Sequence, residues 1–240
     1  MAPDGRGEGA SGRVVPVGGF DGVLTHEGLP FDAEDQAAIA AHWAGEIAAK
    51  PKLFDGRVLI ARDAKIEADR LVARHAEIGF SAFHWWRLRS DARGLANVFG
   101  AAAVVAADGG VLLGRMAAHT AAAGMAYFPC GTPDLSDVVD GRVDLERSIA
   151  RELREETGLE APEARPTAEA FAVFAPKVVA YVRRYESDLS SAELGRRIAA
   201  HLAADPEPEL EGVTFVRSVG ALTETSPPYV RLVLPHLLHA

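Results

Sequence analysis

The chain has one cysteine, Cys130, in 240 residues. That excludes an intramolecular disulfide framework and suits a reducing compartment. It also lacks a long apolar run: the purest stretch, Ala101 to Ala107, is far too short to span a bilayer. The first residues, Met1 to Gly12, are rich in Gly, Asp and Glu and have no apolar core of the kind a secretory signal needs. The expectation is a cytoplasmic protein with no membrane partner. Positive charge is in deficit as well. Lys and Arg number 25 against 34 Asp and Glu, a formal net charge of −9. Such a surface repels phosphate polymers, so no nucleic-acid polymer is expected as a partner. A small anionic substrate stays compatible if a bound metal neutralises its charge. No internal repeat is present. What remains is ordinary globular composition, 48% apolar and 25% charged, long enough for one large domain or a domain with a packed extension.

The chain divides into an expected disordered tail (1–13), an N-terminal extension packed on the core (14–92) and a main domain (93–240). No Pro/Ser linker separates the extension from the rest. Within it, Phe31 to Lys50 reads as a helix capped by Asp32, with Ile39, Trp43 and Ile47 at four-residue steps and Pro51 beyond its end. Leu53 to Ala61 reads as a hairpin-like strand region around Asp55-Gly56. Ala64 to Glu77 reads as a helix stopped by Gly79, and aromatic-rich Phe80 to Leu88 as extended chain. In the main domain, Ala101 to Ala106, the turn Asp108-Gly109-Gly110 and Val111 to Met116 form a strand–turn–strand. A Gly-bounded aromatic run, Gly124 to Gly131, precedes a polar loop through Asp140-Gly141. Leu145 to Thr157 is a helix between an Asp144 cap and a Gly158 stop. Strands follow at Glu169 to Phe174, Val178 to Tyr185 and Gly212 to Val216. Ser190 to Ala203 is a helix, and Pro228 to Leu238 a closing helix that Pro235 would kink.

The helix ending at Thr157 carries the chemistry. At about 100° per residue, with Glu152 at zero, Glu155 lies at about −60° and Glu156 at about +40°. Leu145, Ile149 and Leu153 fall at about +20°, +60° and +100°, so the acidic wedge adjoins the apolar face. At about 6 Å and an effective dielectric near 20, each carboxylate pair costs about 3 kcal/mol before screening. Glu155 and Glu156 also sit in the last turn, where the macrodipole favours cations. A divalent ion removes both penalties, and hard oxygen ligands suit Mg²⁺ or Mn²⁺ rather than zinc. The competing reading is a solvated acidic face with Arg151 and Arg154 in surface salt bridges.

Arg151-Glu152-Leu153-Arg154-Glu155-Glu156-Thr157-Gly158-Leu159 resembles the second half of the Nudix box, G-x5-E-x7-R-E-U-x-E-E-x-G-U with U apolar, without a gap. Upstream, Tyr127-Phe128-Pro129-Cys130-Gly131 looks like the aromatic and Pro-Gly-Gly run that enters the box loop. The resemblance covers about residues 95–220. It implies a Nudix-type α/β/α sandwich with a mixed central sheet. It also implies metal-dependent hydrolysis of a pyrophosphate bond in a nucleoside diphosphate linked to another moiety, hence a small nucleotide-type substrate. Dimers are frequent in the family, so a homodimer is an open expectation. Glu152, Glu155 and Glu156 become metal ligands by resemblance, with one of them positioning or deprotonating water. Arg151 becomes their orienting partner, and Gly131 and Gly158 structural glycines.

The pattern departs in two places. The first motif glycine should be residue 137, which is Asp137, and the first motif glutamate residue 143, which is Val143. Asp144, one place on, is the available substitute acid. The gap at Val143 motivates an alternative: a catalytically weak or inactive Nudix domain that binds a nucleotide as a regulator. Cys130 stands at a usual glycine and reads as a small buried residue. Trp85, Trp86, Tyr127 and Phe128 are candidates to stack on a base or ribose, against the alternative that each is core. Glu207, Glu209 and Glu211 would point the same way if extended, offering a further acid. Of Arg183 and Arg184, adjacent on a strand, only one can face a phosphate. The long extension and box loop point weakly to nucleotide sugars.

Overall fold

The computed structural model describes residues 12–238. The expected tail therefore lies outside the described residues except for Gly12 and Arg13, and Arg13 opens the first strand. In chain order come β1 (Arg13–Pro16), β2 (Gly19–Thr25), α1 (Ala33–Ala49), β3 (Arg57–Glu67), β4 (Arg70–Gly79) and α2 (Phe80–Arg87). They are followed by β5 (Asn97–Val105), β6 (Val111–Met116), β7 (Ala126–Tyr127), β8 (Cys130–Gly131), a 3-10 turn (Leu135–Asp137), β9 (Val138–Val139), β10 (Arg142–Val143) and α3 (Leu145–Thr157). The chain closes with β11 (Arg165–Ala175), β12 (Val178–Glu186), α4 (Ser191–Ala204), β13 (Leu210–Val216), a second 3-10 turn (Val219–Ala221) and α5 (Pro228–Leu238).

The central sheet runs β1-β11-β12-β5-β6-β13, with β7 on β6 and β8 on β5. β12 lies parallel to β5 and antiparallel to β11, so the sheet is mixed. The two-residue period of β5 sorts its side chains. Val98, Ala102 and Val104 enter one core, with Leu145, Ile149 and Leu153 of α3 and Leu194 and Ile198 of α4. Phe99, Ala101, Ala103 and Val105 enter the other, under Tyr229, Val230 and Val233 of α5. Helices thus cover both faces, the α/β/α layering expected from sequence. α5 runs on through Pro235 to Leu238.

A second sheet, β3-β4-β2-β10-β9, ties the extension to the main domain. Its last two strands come from the loop that leads into α3, and β1 of the extension pairs with β11 of the central sheet. A third core lies under α1 and α2, where Ile39, Ile60, Ile78, Phe83 and Trp86 meet.

Three expectations for the extension are corrected. Ala64 to Glu77 is not a helix but most of the β3–β4 hairpin, closed by a two-residue turn in which Ala68 has φ 52°. Its Ala and Glu content favours helix locally, but Leu71, Ala73 and His75 are buried at alternate positions, and pairing on both sides of β4 overrides propensity. Leu53 to Ala61 is not a hairpin; strand begins only at Arg57. Phe80 to Leu88 is not extended but helical over Phe80–Arg87. Asp55 Oδ1 accepts from the Ser81 backbone N–H at 2.7 Å and stands in for the cap that Gly79 cannot supply. In α1, the capping box of Asp32 and Asp35 is formed and Ile39 is buried, but Ile47 faces solvent.

Candidate active site

Helix α3 begins where Asp144 Oδ1 accepts from the Arg147 backbone N–H at 3.0 Å. That engages Asp144 as a cap, outside the cavity described below, so it does not replace a missing acid. Val143 is buried in the core and pairs with Gly22 of β2. A carboxylate there would be desolvated among apolar side chains, which accounts for the apolar residue. At the other end Gly158 takes φ 70°, and a Cβ there would press on the His201 ring. His201 Nε2 lies 2.9 Å from the Glu155 carbonyl oxygen, at the helix end whose carbonyls need partners.

The three motif glutamates of α3, Glu152, Glu155 and Glu156, have separate surroundings. Glu152 and Glu156, one turn apart, line a cavity of about 850 Å³. Glu156 is 5% exposed. Glu155 does not line the cavity; its carboxylate accepts from Arg151 Nη1 at 3.2 Å and is half exposed. Arg151 also reaches Glu152 Oε1 at 2.7 Å and, through Nη2, both carboxylate oxygens of Asp137 at 3.0 and 3.3 Å. Burial works against the Arg151 charge, but Glu152, Asp137 and Glu155 outweigh it and hold the guanidinium above its ordinary range. Asp137, fully buried, anchors the box loop: it shares a capping box with Asp134, and its carbonyl accepts from Asp144 N–H at 2.8 Å. Sequence reasoning noted Asp137 only as a departure. A charged residue where a glycine was expected, upstream of an arginine needing partners, was the available signal.

Burial pushes Glu152 up to about 7; Arg151 opposes this, while Glu155 and Glu209 add to it. Glu156 is pushed well above the carboxylate range by burial, then by Glu152 and Glu209, with the Cys130 backbone amide offsetting part. Among the described residues no cation forms an ion pair with Glu156. Gly131 lies against this pair so closely that a Cβ would overlap the Glu152 carboxylate. Buried oxygen donors, charged together only at a cost and lacking a cationic partner at Glu156, fit a hard divalent ion.

The remaining candidates scatter. Tyr127 lines the cavity, and burial raises its phenol far above the ordinary range. Trp86 lies at the cavity wall but is 1% exposed, with its Nε1–H donated to the Ala92 carbonyl at 2.9 Å. Phe128 is fully buried against Tyr229 in the α5 core and does not line the cavity, which removes it from the expected substrate wall. Trp85 is core, packed on Phe31. Cys130 lines the cavity with Sγ 3.7 Å from the Tyr229 hydroxyl, and burial raises its thiol above the ordinary range, which disfavours the thiolate. Glu207 and Glu209 precede β13 and both line the cavity, whereas Glu211, within the strand and beside the register shift between Leu210 and Gly212, does not. Glu211 pairs with Arg115 and Glu207 with Lys52 on the cavity wall, leaving Glu209 as the acid of the three without a cation partner among the described residues, beside Glu152 and Glu156. Arg184 is buried with Glu169 and Glu186, and Arg183 lies near Glu146; neither lines the cavity. Sequence reasoning missed the cations on the wall, Arg87 and Lys50 among them. Arg87 donates to the Ala121 carbonyl at 2.9 Å and Lys50 to the Thr120 carbonyl at 3.2 Å. Both come from the extension, where no motif marks them.

No family model matches the sequence, and no curated protein matches it. Among solved structures the chain is similar to a Nudix hydrolase from M. smegmatis, RenU, at 14% identity and TM-score 0.37, covering 59% of this chain and 82% of that one. It is similar to the MutT protein from Methanosarcina mazei Go1 at 18% identity and TM-score 0.36, over 59% of this chain and 92% of that one. A third likeness is to a bifunctional NMN adenylyltransferase/ADP-ribose pyrophosphatase from Francisella tularensis, at 16% identity and TM-score 0.35, over 59% of this chain and 42% of that one. Among the described residues no helix is long and apolar enough to cross a membrane.

Proposed function

We propose that this chain is a Nudix-type pyrophosphohydrolase that cleaves a nucleoside diphosphate linked to another moiety. The supporting observation is the pair Glu152 and Glu156: two buried carboxylates one helical turn apart on one cavity, in the motif that resembles the Nudix box. These two residues would hold Mg²⁺ or Mn²⁺, which when bound neutralises diphosphate oxygens and acidifies water. Arg151, held by Asp137, keeps Glu152 turned toward its place beside Gly131. Glu209, outside α3 and without a cation partner among the described residues, accepts the proton of the attacking water. Arg87 and Lys50 offer charge to the anionic substrate from the opposite source of wall, the extension. Tyr127 and the aromatic lining at Phe80 and Trp86 supply apolar surface for a base or ribose.

The test is a product-resolved screen of nucleotide sugars, dinucleotides, coenzyme A and ADP-ribose with Mg²⁺ or Mn²⁺. Metal-dependent release of two phosphate-bearing products supports the proposal. Tight nucleotide binding with no product from any of them supports the regulatory alternative, and neither binding nor turnover removes both.

A further inference from the structure

We propose that His42, Glu46 and His84 form a second cation site, for a borderline ion of the zinc class, which clips α1 to α2. His42 and Glu46 are four residues apart on α1 and so share a face. His84 meets them from α2. One ligand atom from each lies within 4.8 Å of the others. His42 Nε2 is 2.9 Å from His84 Nδ1 and 4.0 Å from Glu46 Oε1. The two ring planes are 19° apart with centroids at 5.1 Å, so the imidazoles meet nitrogen to nitrogen rather than face to face. Between two such nitrogens there is room for one shared proton or, after small side-chain rotations, one ion.

The donor set selects the ion. Two imidazole nitrogens and one carboxylate suit zinc and its neighbours, whereas Mg²⁺ takes oxygen ligands. Phe80 and Trp43 flank the His84 ring and limit water, while His42 and Glu46 are partly exposed and leave a path for entry. The clip would have a consequence at a distance. α1 leads into Lys50 and α2 ends at Arg87, two of the cations that the extension presents to the catalytic cavity. Fixing the two helices fixes their spacing.

The test titrates the full-length chain with Zn²⁺, and with Co²⁺ as a visible probe, in excess Mg²⁺. One equivalent should bind that Mg²⁺ does not displace. It should persist in a Glu152→Gln, Glu156→Gln double variant, which separates it from the catalytic carboxylates. His42→Gln and Glu46→Gln, at partly exposed positions that leave folding intact by circular dichroism, should each weaken it at least about tenfold and abolish the Zn²⁺-dependent rise in melting temperature. His84→Gln should do the same where it folds. Absence of such an equivalent, its loss in the double variant, or unchanged affinity in His42→Gln and Glu46→Gln overturns the proposal.

Discussion

On its cavity side α3 buries Glu156 to 5% exposure and raises its affinity for a proton; on its Arg151 side, one residue earlier in the chain, the Glu155 side chain is 52% exposed and paired. Both belong to the same motif and the same helical turn. The difference comes from the apolar stripe of Leu145, Ile149 and Leu153, which fixes how α3 rolls onto the sheet. That roll turns the residue next to the stripe into the cavity and leaves the other at the rim. Charge count along a helix does not tell which carboxylate faces the cavity; angular distance from the buried stripe does.

The largest effect that sharpens this contrast is expected from Glu156→Gln. It removes a donor from the cavity pair while keeping shape, and turnover should fall at least about a hundredfold. The metal-free protein should melt higher, because a buried acid whose charged form the fold disfavours, first by burial and then by Glu152, is gone. Steady-state rates and melting curves in chelator check both. A variant that turns over normally would place the metal elsewhere.

The second prediction concerns pH. Glu152 titrates at about 7 in the fold against an ordinary value of 4.5. An acid with a raised folded value favours the fold when protonated. Its contribution is therefore fully present below pH 4.5 and is lost as pH rises to about 7, an upper bound of about 3 kcal/mol. In chelator, wild type should lose stability across that window relative to Glu152→Gln; saturating Mg²⁺ or Mn²⁺ should abolish the difference by binding the charged form. Melting temperature against pH, with and without metal, measures it. Parallel curves for the two proteins would mean that Glu152 is already solvated.

Legibility followed the reach of local signals. The Asp144 cap, the α3 stripe and the left-handed Gly158 are set within one helix, and all three were readable from spacing. So was the β5–β6 hairpin, whose turn residues are adjacent in sequence. The extension was misread where partners are distant: β4 is a strand because β2 and β3 flank it, and α2 starts with help from Asp55, which accepts from the Ser81 amide 26 residues on. The same holds at the site. The helix carboxylates were visible, but Asp137 finds Arg151 across a loop, and Arg87 reaches the cavity from the extension. Glu209 was seen only as one of three, because the distant cations that pair Glu207 and Glu211 and leave it unpaired make no mark in composition.

A smaller effect is expected from Gly131→Ala. The added methyl would overlap the Glu152 carboxylate, and displacing that group or its strand should cost about 1–3 kcal/mol of stability and a matching share of turnover. Combining it with Glu152→Gln should give less than the sum of the two losses, since both act on one carboxylate. A double-mutant cycle in turnover reads this directly.

The smallest effect is expected from Glu155→Gln, and it decides whether the two sides of α3 differ in function as they do in burial. The motif alone treats Glu155 and Glu156 alike and predicts that either change removes turnover. The geometry separates them. Glu155 gives up an exposed ion pair with Arg151, worth less than about 1 kcal/mol. Arg151 keeps its contacts to Glu152 and Asp137, so the guanidinium stays in place. Turnover should fall by no more than about fivefold, with metal affinity nearly unchanged. Isothermal titration with Mn²⁺ alongside steady-state rates tests this. If Glu155→Gln matched Glu156→Gln in both readouts, the ion would bridge the rim and the cavity, and all three glutamates would be its ligands.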